Sequence, residues 1–258
     1  MKLLKVLVLI SLLLSMTGCK KWFGRDDEDS NPFQGTPAKQ LFEESQQAIK
    51  KEQYDSAAKR LEALESMYPF SDYAEKAQTD LIYAYYKKAD YPSATATAER
   101  YIHLYPRAKN VDYAYYMKGL ANFQQNRGAL ANMLPLDESW RDPGTQSQAY
   151  SDFATLVQKF PDSRYKANAL QRMTYLRNMF AKRELNTSRY YFERKMYVAS
   201  AQRASYLVEN YPQAPSAREG LSLLYNANIK LGLQKAAADA FKVYQSTYHQ
   251  NPPIISTL

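Results

Sequence analysis

Residues 54–106, YDSAAKRLEALESMYPFSDYAEKAQTDLIYAYYKKADYPSATATAERYIHLYP, contain one pattern written almost twice. Each copy runs Tyr, then Ala three residues later, then an apolar helical stretch closed by Tyr-Pro. Tyr54, Ala57, Leu61, Leu64 and Pro69 return as Tyr91, Ala94, Ala98, Tyr101 and Pro106. The step is about 37 residues, and a period of this size marks stacked helical hairpins, because one hairpin cannot bury its own apolar faces. Small Ala lets paired helices approach closely, and Pro stops the second helix where the next begins.

The Tyr/Ala/apolar/Pro register resembles that of the tetratricopeptide (TPR) repeat, which implies an all-α superhelical solenoid. Working outward, repeat one covers 38–70 and repeat two 72–107. Repeat three opens with VDYAYYMKGLANFQQ, but its partner helix waits until Gln146–Phe160. An insertion at 127–144 intervenes, with turn signals at Gly128, Pro135 and Asp142-Pro143-Gly144. A long insertion in a compact solenoid points to a functional loop. No breaker interrupts 163–194, which predicts one extended helix whose last third opens repeat four; its partner runs from Tyr197 to Asn210. Repeat five covers 214–250 with its turn at Leu231-Gly232, and the tail at 251–258, after Pro252-Pro253, is expected to fray.

Composition agrees with helices. Eight Gly and no sustained alternation of apolar and polar residues argue against a sheet. The formal charge of +8 is modest and mixed along the chain, and loss of Lys2 and Lys5 with a signal segment lowers it. That is the balance of solvated helix faces, so no nucleic-acid partner is expected.

Residues 1–18 read as a signal peptide. Lys2 and Lys5 precede an apolar stretch, Val6–Leu14, too short to span a bilayer. Met16-Thr17-Gly18-Cys19 resembles a bacterial lipobox, with Met where Leu is usual, and Cys19 is the chain's single cysteine. Cys19 is therefore the expected lipid attachment site, and no disulfide can hold the helices. Lys20 rather than Asp after the cysteine favours the outer membrane, by resemblance to lipoprotein sorting. Residues 19–36 then form a charged tether broken by Pro32 and Gly35.

Catalytic signals are missing. His103 and His249, the two histidines, lie on different repeats. No zinc-binding His pair, phosphate loop or nucleophile elbow appears, so neither a metal, a cofactor nor an enzyme activity is expected. The chain has 23 tyrosines, a residue suited to interfaces through its apolar body and polar tip.

Several stretches exceed a generic repeat: RLEALESMYPFSDY, DLIYAYYKKADY, NVDYAYYMKGLANF, the RDPG insertion followed by YSDFATLVQKFPDSRY, and YYFERKMYVASAQR. With the lipobox, they make the chain similar to the BamD family over about 38–220. The resemblance implies a non-enzymatic lipoprotein scaffold of the outer-membrane β-barrel assembly machinery, anchored in the outer membrane and facing the periplasm. Its implied partners are the barrel subunit BamA, through a POTRA domain, other lipoproteins of the BAM complex, and unfolded outer-membrane proteins. A helical accessory to a hydrolase and a periplasmic TPR adaptor for another cell-envelope machine are the alternatives. No catalytic segment follows residue 250 to suit the first, and the second needs no acyl anchor at Cys19.

The family match also places Arg203, in YVASAQRASYLVENYP, as a docking residue for a POTRA carboxylate. For substrate, the TPR register puts Leu81, Ile82 and Tyr85 between helices and leaves Tyr83, Tyr86 and Lys87 on the concave side. The same register adds Phe42 and Ile49 from repeat one and Tyr113, Tyr116 and Phe123 from repeat three, with Tyr68 at the edge. Such a groove suits an extended, aromatic-ended peptide with a free carboxylate.

The lipobox generates one direct test. Mass spectrometry of the membrane-extracted protein should find a mature chain beginning at an acylated Cys19, since buried acyl chains contribute about 0.8 kcal/mol per CH₂ to anchoring. An unmodified cysteine would contradict this reading.

Overall fold

The structure, a computed structural model, describes residues 32–125 and 143–255. Cys19, the signal peptide, most of the tether and all but the end of the 127–144 insertion lie outside the described residues. Ten helices are present among the described residues: α1 (Ala38–Lys50), α2 (Tyr54–Met67), α3 (Ala74–Lys87), α4 (Tyr91–Leu104) and α5 (Val111–Gln125), then α6 (Gly144–Lys159), α7 (Lys166–Glu193), α8 (Tyr197–Asn210), α9 (Ala217–Lys230) and α10 (Gln234–Tyr248). Each packs on its neighbours in sequence, and the first helices of successive hairpins also touch, α3 on α5 and α7 on α9. This is the TPR solenoid that the repeat pattern predicts.

Two recurrent turns build it. Within a hairpin the chain passes through a left-handed residue: Glu52 (φ 58°), Ala89 (φ 64°), Lys195 (φ 62°) and Gly232 (φ 73°). In each, the next amide returns to a carbonyl five residues back, Gln53 to Ala48 and Asp90 to Tyr85 at 2.9 Å, Met196 to Tyr191 at 2.9 Å and Leu233 to Asn228 at 3.0 Å. That bond caps the helix end by satisfying a free carbonyl. Between hairpins, Tyr68, Tyr105, Phe160 and Tyr211 end the second helix, each outside the helical region with φ between −126° and −134° and ψ between 49° and 70°. A proline follows each of them. An aromatic ring plus proline thus stops all four helices in the same way.

Small residues set the packing. Ala57, Ala58, Ala77, Ala94, Ala98, Ala114 and Ala149 are buried at the crossings. At Gly119 even a methyl group has no room, since an added Cβ would stand 2.6 Å from Cε1 of the buried Phe153 ring. One buried polar cluster ties three helices together. The Asp152 carboxylate accepts from Asn122 Nδ2 at 2.7 Å and from Gln148 Nε2 at 3.2 Å, and pairs with Lys118 Nζ at 3.3 Å. Lys118 also meets Glu99 at 2.7 Å. Burial acts to lower the Lys118 pKa, but the hydrogen bond to Glu99 and the Asp152 charge outweigh it and hold the ammonium charged.

The 28-residue α7 spans two cores. Ala169, Leu176 and Met179 pack with α5 and α6, whereas Ala181, Leu185 and Phe192 pack with α8 and α9. The uninterrupted stretch thus becomes a splint joining the two halves of the solenoid. The expected fraying of the tail does not hold for 252–255: Pro252 is buried, and Ser222 and Asn226 of α9 both donate to the Pro253 carbonyl.

The left-handed turns predict a stability difference. A side chain in this conformation costs about 1–2 kcal/mol, part of which Gly returns through the unfolded chain's greater entropy. Ala89→Gly should raise stability by about 0.5–1 kcal/mol, read as a higher urea midpoint, and Gly232→Ala should lower it by a similar amount. A fall in stability for Ala89→Gly would contradict the shared-turn account.

Candidate functional site

The first helices of repeats one to three line a depression of about 340 Å³ on the inner face of the superhelix. Gln46 and Ile49 come from α1, Thr79, Asp80 and Tyr83 from α3, and Tyr113 from α5, with Asn110 and Arg164 contributed by turns. Ile49, Tyr83 and Tyr113 of the expected groove are thus brought together. Burial pushes the Tyr113 phenol well above its ordinary pKa, so at neutral pH the ring presents an uncharged hydroxyl. On the depression's wall, Gln46 Nε2 donates to Asp80 Oδ2 at 2.7 Å, and Lys76 pairs with the same carboxylate at 3.0 Å.

A ladder of rings and cations surrounds this depression. Tyr83 meets the Tyr54 ring edge-on at 6.0 Å, and Lys87 Nζ lies 5.4 Å from the Tyr54 centroid and 6.0 Å from that of Tyr83. The nearby Tyr83 and Tyr54 hydroxyls raise the Lys87 pKa, so its exposed ammonium stays charged. On the other side, Tyr116 stacks on Tyr165 with centroids 4.6 Å apart and donates to Asn168 at 2.8 Å. Arg164 lies over the outer part of that stack, 4.8 Å from the Tyr165 centroid. Cations at both ends of a ring-lined trough suit a peptide with apolar side chains and a carboxylate.

Four expected groove residues lie elsewhere. Phe123 is a correction: it is buried, with Tyr175 at 5.7 Å and Arg172 at 4.9 Å over its ring. The cause is the start of α7, whose Arg172 and Tyr175 lie over the end of α5. Phe42 stacks on Tyr73 at 5.1 Å and packs against a separate core that Leu41, Leu61 and Leu81 build between α1, α2 and α3. Tyr86 turns to Tyr91 of its own hairpin at 5.7 Å. Tyr68 donates to the Thr36 carbonyl at 2.9 Å, fastening the residues before α1 rather than edging the groove. The sequence expectations did not include Gln46, Thr79, Asp80, Asn110 or Arg164. Gln46 was within reach, since it occupies in α1 the register of Tyr83 in α3; Arg164 lies in a turn where no helical register extends.

Arg203 lies further along the solenoid, on α8 of the fourth repeat. It lines a second cavity of about 420 Å³ with Pro143, Phe180, Glu184, Tyr206 and Tyr211. Its Nη1 pairs with Glu184 Oε2 of α7 at 3.3 Å while the side chain stays half exposed. The pair joins two helices rather than one, and it leaves the guanidinium able to take a second carboxylate. Burial beside Tyr206 pushes the Tyr211 phenol up to about 12. No group of three His, Cys, Asp or Glu residues able to hold a metal occurs among the described residues. None of the described helices is long and apolar enough to cross a membrane.

Comparison with known proteins follows the same lines. The YfiO family, described as "Outer membrane lipoprotein", matches residues 34–243. The outer membrane protein assembly factor BamD of Neisseria meningitidis is 36% identical over 248 residues, 96% of this chain and 92% of that protein. BamD of Xylella fastidiosa is 34% identical, covering 95% and 82%, and that of Vibrio cholerae is 38% identical, covering 78% and 83%. The chain belongs to the YfiO family of outer-membrane lipoproteins, together with these BamD assembly factors.

Proposed function

We propose that this protein is a non-enzymatic scaffold of outer-membrane β-barrel assembly, held to the outer membrane through a lipid on Cys19 and facing the periplasm. In this reading its C-terminal half docks the POTRA domain of BamA through Arg203. Its N-terminal repeats receive unfolded outer-membrane proteins, and other BAM lipoproteins join the same complex. The observation that carries the reading is the open, tyrosine-lined depression of repeats one to three, far along the solenoid from the Arg203 cavity. Two separate surfaces are what a scaffold needs to hold a machine and its client together. Tyr rings offer large contact area at low entropy cost, and a few such anchors usually dominate binding.

The docking half is tested by a pair of variants. Removing one member of a desolvated ion pair costs about 2–5 kcal/mol, whereas an exposed pair is worth under about 1 kcal/mol. Arg203→Ala should strongly reduce co-purification of BamA from detergent-solubilised membranes. Glu184→Gln, which removes the internal competitor, should preserve or strengthen it. If Arg203 only joins α7 to α8, both variants will lose a little stability and neither will change BamA recovery.

For the groove, a photo-crosslinker at position 83 should capture a peptide ending in a barrel strand's aromatic residue. Lys87→Glu and Arg164→Glu should each weaken capture several-fold if the peptide's carboxylate is read, while an amidated peptide should be indifferent to both. Equal capture by a helical protein carrying Tyr83→Ala and Tyr113→Ala would move client binding to another face.

A further inference from the structure

The last repeat holds an extended peptide already, and it is the chain's own. After α10 the backbone turns at His249 and runs back across α9 without helical structure. There Asn226, only 4% exposed, grips the backbone on both sides of Ile254. Its Nδ2 donates to the Pro253 carbonyl at 2.8 Å, and its Oδ1 accepts from the Ile255 amide at 3.0 Å. Ser222 Oγ adds a second donor to the Pro253 carbonyl at 3.2 Å. All three bonds go to main-chain atoms, so they specify an extended strand rather than particular side chains. The strand alternates as well: Ile255 packs against the core formed by α7, α8 and α9, whereas Ile254 is 74% exposed.

The place of this grip within the repeat gives it meaning. Asn226 precedes the left-handed residue Gly232 by the same step as Gln46 precedes Glu52 and Tyr83 precedes Ala89. Gln46 and Tyr83 line the open depression of the first repeats. At the other end of the solenoid the matching surface is occupied by residues 252–255. Room remains beside them, in a cavity of about 640 Å³ lined by Arg218, Ser222, Tyr244 and Gln250 together with the tail itself.

We propose that residues 252–255 are a displaceable occupant of a second peptide-binding groove, one that takes an extended segment of a partner protein through its main chain. The tail keeps the groove closed by virtue of its tether, whose effective concentration reaches the millimolar range for short links. A partner strand enters by replacing the bonds to Asn226 and Ser222 one for one, with an apolar side chain in the place of Ile255. This groove is independent of the one in the N-terminal repeats and of the Arg203 cavity.

The test uses the full chain and a fluorescent peptide, QNPPII, copied from residues 250–255. Ile255→Pro removes the amide that Asn226 accepts from and frees the tail in place. That variant should bind the peptide at least about 10-fold more tightly than the unaltered chain, because the internal competitor is gone. Combining it with Asn226→Ala should abolish binding, with helicity by circular dichroism unchanged throughout. Equal binding by the unaltered chain and Ile255→Pro, no binding by Ile255→Pro, or binding that survives loss of Asn226 would overturn the proposal. So would loss of helicity in Ile255→Pro, which would make the tail a structural cap.

Discussion

No helix of this solenoid is secure without its neighbours. Most run 13–16 residues, a length at which an isolated helix is marginal in water. With Cys19 the chain's single cysteine, no disulfide assists them. Stability rests on burial between adjacent hairpins, and that burial depends on small residues at the crossings. Ala57, Ala94 and Ala149 are fully buried, and Gly119 lies too close to Phe153 for any side chain. Packing of this kind is local and repeated, so the stack can carry different surfaces at its two ends without one disturbing the other. The exception is α7, which contributes to two cores and so links the third and fourth repeats through one helix.

How much of this could be read from the sequence depends on whether the cause is local. The repeat was legible because its markers act within a few residues: Pro69, Pro106, Pro161 and Pro212 end helices wherever they stand, and Ala at a crossing has one function. Ile49, Tyr83 and Tyr113 line the depression from three different positions of their helices, since the repeat step that carries Gln46 onto Tyr83 carries Ile49 onto Tyr86, so register alone does not single them out. Phe123 is hidden from such reasoning because its cover, Arg172 and Tyr175, comes from a helix that follows it only after the insertion. Gln46 carries no ring to mark it as a groove residue, although it shares the register of Tyr83. The tail was misread for a different reason: Pro252-Pro253 does forbid a helix, but an irregular strand is ordered once buried side chains accept and donate its main-chain bonds, and Asn226 lies nearly 30 residues earlier in sequence.

The arrangement that results divides the concave surface. At one end the wall is tyrosine with Gln46 and Asp80, open to solvent and flanked by Lys87 and Arg164. At the other, the same helical register holds Asn226 and is filled by the chain itself. Between them, α7 carries Glu184 to its pairing with Arg203 on α8. In the proposed function, one half holds a membrane-embedded partner and the other is left free for an unfolded client.

Hydrogen exchange on the full chain, with each ligand added separately, tests that division most directly. An unfolded barrel protein should slow exchange in α1, α3 and α5 and leave α8 unchanged, while BamA should slow exchange in α7 and α8 and leave α1 and α3 unchanged. Protection of the same helices by both ligands would contradict a scaffold with separate ends.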